Sequence, residues 1–273
     1  MSNLNNNIRS TYASETTGSD LGLMSGYSND VRLSRAEMTA LPTPAPQGRF
    51  HRPVPFGDYV EEVAHQLDRI GLVPVAEEHI LSHDNQRHFG LMEIAAKEGE
   101  LITSKEWSIL LGLRGSHDQS VQRGIALGRN VMVCSNLCFS GDVYTSNTKH
   151  TLNIWDRLPV MLFEALSKVP EMAHLEEQRV ERMRNFQMKP RWGDAALVEI
   201  HRRGGLTAAQ LGRSIHQWDR PTFEEHAEQG FTAWRLEQAV TQAVKPTGER
   251  SNLFQIQDRT QVASTFINEV VGF

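Results

Sequence analysis

The densest concentration of reactive side chains lies at residues 114–120, where the apolar run WSILLGL gives way to Arg-Gly-Ser-His-Asp-Gln-Ser. Hydroxyls, an imidazole, a carboxylate and a guanidinium this close together could bind an anion or assist a proton transfer. Gly115 permits a tight turn or a close backbone approach. If a helix follows, Ser116, Asp118 and Ser120 can cap it. Its free N–H groups would then favour phosphate, with Arg114, His117 and Arg123 beside them. On extended chain His117 and Asp118 point to opposite faces, so they make no ready dyad, and no catalytic residue is assigned.

A second candidate is RVERMRNFQMKPRW, residues 179–192, with five basic residues against one acidic residue and two interleaved aromatics. Cations that track phosphate beside rings that stack on bases suit single-stranded nucleic acid. Arg182, Lys189, Arg191 and Trp192 are the residues placed there, and Lys149 and His150 add a further basic pair. HRRGGLTAAQLGRSIHQW has the outline of a helix-turn-helix, but Trp218-Asp219-Arg220-Pro221 interrupts what should continue.

Metal chemistry is weaker. Cys134 and Cys138 fall in the run VMVCSNLCF, and four residues of strand span about 13 Å. Two sulfurs on one zinc sit within about 5 Å, at a Zn–S distance near ~2.3 Å. Buried, reduced, metal-free cysteines are expected. His79, His83 and His88 lie in one hairpin, and its register decides which of them share a face. No Walker, dinucleotide-binding, HExxH or nucleophile-elbow motif occurs, and no cofactor or metal is assigned.

These residues must be carried by a chain of 273 residues with a net charge of -5 and two cysteines. The acidic balance argues against a general nucleic-acid coat, although a local basic patch still fits. Two cysteines make no disulfide framework, and no apolar run reaches membrane-spanning length. A soluble protein of a bacterial host cytosol is expected, with no membrane partner.

Residues 1–54, rich in Ser, Asn, Thr and Pro, read as a flexible or draped N-terminal arm. Residues 55–151 read as an α+β core. Val60, Val63, Ala64, Leu67 and Ile70 recur at helical spacing and end at Gly71. LVPVAEEHILSH and RHFGLMEIA form a hairpin around Asp84-Asn85-Gln86, and a third strand follows at 107–113. Ser120 is expected to cap a short helix, VQRGIALG, before a fourth strand at 131–139. Residues 152–273 read as a helical region packed on that core. The fold class is therefore α+β, with a mostly antiparallel sheet and packed helices in the first half and a helical second half.

Four stretches occur in a telling order: LGLRGSHDQS, VMVCSNLCFSG, Lys149-His150-Thr151, and WRLEQAVTQAVK preceded by WDRP. Over roughly Pro53 to Lys245 the chain resembles the phage- and plasmid-borne family called domain of unknown function 932. Gly115 departs from that pattern, in which Asn often precedes Ser-His-Asp. The resemblance implies a mobile-element protein encoded among DNA-metabolism genes. The expected function is non-enzymatic binding of single-stranded DNA or another nucleic acid during replication, recombination or annealing. Its candidate contacts are the Arg114, Ser116, His117, Asp118, Ser120 and Arg123 group with the basic residues above. One rival is a protein that binds and disables a host factor. A second is an enzyme acting on a phosphate-bearing substrate. A homo-oligomer is compatible with the first two readings.

Overall fold

The computed structural model describes residues 32–46, 48–82, 85–97, 107–131, 136–138, 153–245 and 253–273. Six strands form one antiparallel meander in chain order: β1 (Arg32–Leu33), β2 (Leu72–Ser82), β3 (Arg87–Ala96), β4 (Trp107–Ser116), β5 (Gly124–Val131) and β6 (Asn136–Cys138). Helices α1 (Arg35–Thr39) and α2 (Phe56–Arg69) precede β2. Among the described residues after β6 come helices α3 (Ile154–Leu166), α4 (Val169–Asn185), α5 (Pro190–Arg202), α6 (Ala208–Asp219), α7 (Glu224–Glu228), α8 (Ala233–Val244) and α9 (Leu253–Val271). The α+β class, with its antiparallel sheet first and its helices after, is the one expected.

Local chemistry accounts for the first elements. Val60, Val63 and Leu67 bury one stripe of α2, and Gly71 leaves it at φ 79°, a left-handed conformation that suits glycine. Asn85 tolerates φ 63° in the β2–β3 turn, where the Gln86 N–H donates to the Ser82 carbonyl at 3.1 Å. From Arg32 onward the N-terminal segment is seated on the core: β1 pairs with Ile80 and His79, and Met38 is buried.

The expected helix at VQRGIALG is absent. β4 runs on to Ser116, and Gly124–Val131 pairs antiparallel with it from Arg114↔Gly124 to Trp107↔Val131. Ser120 therefore caps no helix. The reason is long-range: β4 offers an open edge and the segment's apolar residues Ile125, Ala126 and Leu127 are buried in the sheet. Of the expected fourth strand at 131–139, Val131 belongs to β5 and Asn136–Cys138 form β6, which continues the sheet; the other residues lie outside the described ones.

The sheet and the helical half share one core. Helix α8 is the hub, buried along its whole length and packed against α4, α5, α6, α9 and β6. A buried ionic cluster adds a polar joint. Arg129 on β5 pairs with Glu176 on α4 and Glu237 on α8, while Arg179 on α4 reaches the same two carboxylates at 2.9 and 2.5 Å. Arg179 also donates to Ser264 Oγ at 2.8 Å and to Asn268 on α9.

Candidate functional site

The motif at 114–120 forms the tip of the β4–β5 hairpin, and it faces inward more than outward. Ser116 is fully buried; its Oγ donates to the Val121 carbonyl at 3.1 Å and accepts from the Val121 N–H at 3.0 Å. His117 is buried, with its ring centroid 3.9 Å from that of Phe56 at the start of α2. Its backbone N–H donates to the Gln86 carbonyl at 2.8 Å, which ties the two hairpin tips together. Asp118 organises the turn: it accepts from the Ser120 N–H at 2.9 Å, from the Ser120 hydroxyl, and from Arg87 Nε at 3.1 Å. Desolvation opposes its ionisation, but the bonds from Ser120, Ser116 and Arg87 hold the carboxyl well below the usual range. Gln119 completes the turn at φ 61°.

The two arginines divide: Arg123 points inward and Arg114 lies at the surface. Arg123 is buried, donates to the Val54 carbonyl at 2.8 Å, and lies 4.6 Å from the Tyr59 ring and 5.8 Å from the Phe56 ring. Burial pushes its guanidinium down to about 10, with Tyr59 and Asp58 acting the other way, so it stays charged at neutral pH. Arg114 is half-buried and pairs with Asp258 on α9 at 3.4 Å. With no helix N-terminus here, the phosphate cradle expected from this motif loses its main donor set. Ser116, His117 and Asp118 serve the turn, a ring stack and an ion pair rather than one reacting point.

The second group is built differently. The link between α4 and α5 is pinned to the start of α8: Met188 N–H donates to Phe231 O at 2.7 Å and Ala233 N–H to Phe186 O at 3.1 Å. Pro190 opens α5 as its first residue, where its missing N–H costs nothing. Trp218 Nε1 donates to the Pro190 carbonyl at 3.1 Å, and Gly193 lies flat on the Trp218 indole. This buried support turns the opposite side of the first helical turn outward. Lys189, Arg191 and Trp192 are exposed, Trp192 at 56%, with Lys189 Nζ 5.1 Å from the indole centroid. Arg182, in the last turn of α4, is exposed but donates to the Gly272 carbonyl at 2.7 Å.

Lys149, His150, His83 and Cys134 lie outside the described residues, as does the side chain of Cys138. Among the described residues no three His, Cys, Asp or Glu side chains are placed to hold a metal ion, and no helix is long and apolar enough to cross a membrane. Two groups escaped the sequence reading. One is the ionic cluster around Arg129 and Glu237. The other joins His79 and His88 to His117 and Arg123 around Phe56. The hairpin register was the missing signal: His79 faces Gly90, two residues from His88 on the same face.

No protein-family model, curated protein or solved structure matches the chain, so the functional argument rests on its own residues.

Proposed function

We propose that the protein binds single-stranded nucleic acid through the turn that opens α5, in keeping with a role in the replication, recombination or annealing of phage or plasmid DNA. The observation that carries this reading is the solvent-facing indole of Trp192 with Lys189 against it and Arg191 beside it. An exposed tryptophan on a rigid support offers a stacking platform, and the flanking cations offer phosphate contacts without base preference. Arg182 is a peripheral contact. The hairpin tip at 114–120 supports the core and supplies at most Arg114 and Ser120 from its outer side.

The test is fluorescence anisotropy with labelled single- and double-stranded oligonucleotides at two salt concentrations. Base–aromatic stacking is worth about 1–3 kcal/mol per base, so Trp192→Ala should weaken single-strand binding by roughly five- to more than a hundredfold. Lys189→Ala and Arg191→Ala should each lower the salt slope by about 0.7. All three side chains are exposed, so folding should be retained. Equal affinity of wild type and Trp192→Ala would refute the assignment.

The rival reading, a protein that binds a host factor, draws on exposed Trp155 and Val160 of α3 and Leu175 of α4. It gains ground if the folded wild type binds neither form of nucleic acid at low salt.

A further inference from the structure

His88 and His117 lie against Phe56, the residue at which an irregular strap, residues 48–55, enters α2. His79 Nδ1 and His88 Nε2 are 3.2 Å apart, so a single proton bridges the two rings. Gly90 makes the pair sterically feasible: a Cβ there would sit 2.5 Å from His79 Nδ1 and 3.0 Å from His88 Nε2. The His88 ring lies 5.2 Å from Phe56, and Phe56 in turn stacks on His117. The strap adds the Val54 carbonyl, which accepts from Arg123.

The charges facing this cluster come from every element around it. Arg123 reaches it from the start of β5, and Asp58 and Tyr59 on α2 stand near Arg123. Glu77 on β2 lies 3.9 Å from His79 Nε2, yet its carboxylate is also bound by Arg35 of α1 at 2.9 and 2.5 Å. Asp118 is engaged by Arg87 and Ser120. A protonated His88 would therefore be buried beside the fixed guanidinium of Arg123, with the Glu77 carboxylate already engaged by Arg35. Burial first, and then His79, Arg123 and His117, depress His88 well below the ordinary histidine value.

We propose that the His79–His88 pair and His117, packed against Phe56, form a proton-operated latch: with His88 neutral, Phe56 and the Val54 carbonyl seat the strap over Arg123, and uptake of a proton at His88 unseats it. The sign follows from the depressed His88. An opened state takes up protons below about 6.5, where the closed state does not, so closure is fully present above that pH and weakens below it. Between pH 7.5 and 5.5 the opening equilibrium should rise about tenfold for that one proton. Opening would fray the first turn of α2, where the Tyr59 N–H donates to the Pro55 carbonyl at 3.1 Å.

Amide hydrogen exchange at Tyr59, corrected for intrinsic rates and compared with amides of β4 across this pH range, tests the latch on the intact chain. The expected result is an about tenfold faster exchange at Tyr59 at pH 5.5, with β4 changing far less. His88→Gln should abolish that dependence, and the wild-type profile is itself a second, independent measurement. A pH-independent Tyr59 amide would overturn the proposal. So would loss of protection at Tyr59 and β4 in step, because that is global unfolding.

Discussion

Replacing Glu237 by Gln keeps the side-chain volume and removes one charge from a buried group of two arginines and two glutamates. In the wild type, Glu237 pairs with both Arg129 and Arg179, and all four side chains are almost wholly buried. Gln cannot satisfy two guanidiniums as an anion, so the cluster is left with a net positive charge out of water. Breaking a buried pair from one side costs about 3–5 kcal/mol. At about 2–4 °C per kcal/mol for a chain of this size, the melting temperature should fall by roughly 6–20 °C. The assay is thermal and urea unfolding followed by circular dichroism, alongside Arg129→Met and the double variant. The double variant restores charge balance and should recover part of the loss, giving a coupling energy of order 0.5–3 kcal/mol. Additive single losses, or a Glu237→Gln protein melting within about 2 °C of wild type, would refute the reasoning, because the carboxylate would then have to be solvated.

Gly193→Ala should be destabilising although glycine is a poor helix former, since a Cβ there would sit 2.1 Å from the Trp218 indole. Trp218 is fully buried and bonded to Pro190, so overpacking should cost about 1–3 kcal/mol, read as a lower urea midpoint. Glu77 is desolvated, but His79 and Arg35 hold its carboxyl down to about 2. Its contribution is therefore present above about 4.5 and lost as pH falls toward 2. Glu77→Gln should lower stability at pH 7 and make the acid loss between those values shallower, as measured by urea midpoints across the pH range.

Much of the architecture was legible because local signals and tertiary packing agree. The stripe of Val60, Val63 and Leu67, the Asn85 turn and the helical periods after residue 152 each carry their own structural reason within a few residues. The basic-aromatic run was legible as a composition, and Pro190 marked the helix start inside it. What separates Trp192 from the other candidates is its support: Trp218, far along the chain, fills the space beside Gly193 and turns Trp192 outward.

The segment Gly124–Val131 shows the limit of a local reading. Its apolar residues suit a helix as well as a strand, and only the open edge of β4 decides between them. The same holds for charge. Sequence alone places an arginine at the surface by default, because burying an unpaired guanidinium is costly. Arg129 is buried because the fold brings Glu176 and Glu237 to it, and Arg123 because Val54, Phe56 and Tyr59 enclose it. The residue types at 114–120 announced polar chemistry, but their direction was set by the hairpin and by α2, which together turn Ser116 and His117 inward. The sequence by itself determined the order and period of the elements, since those depend on neighbours in the chain. Which polar side chains meet, and which meet solvent, depends on partners distant along it, and only the tertiary structure decided that.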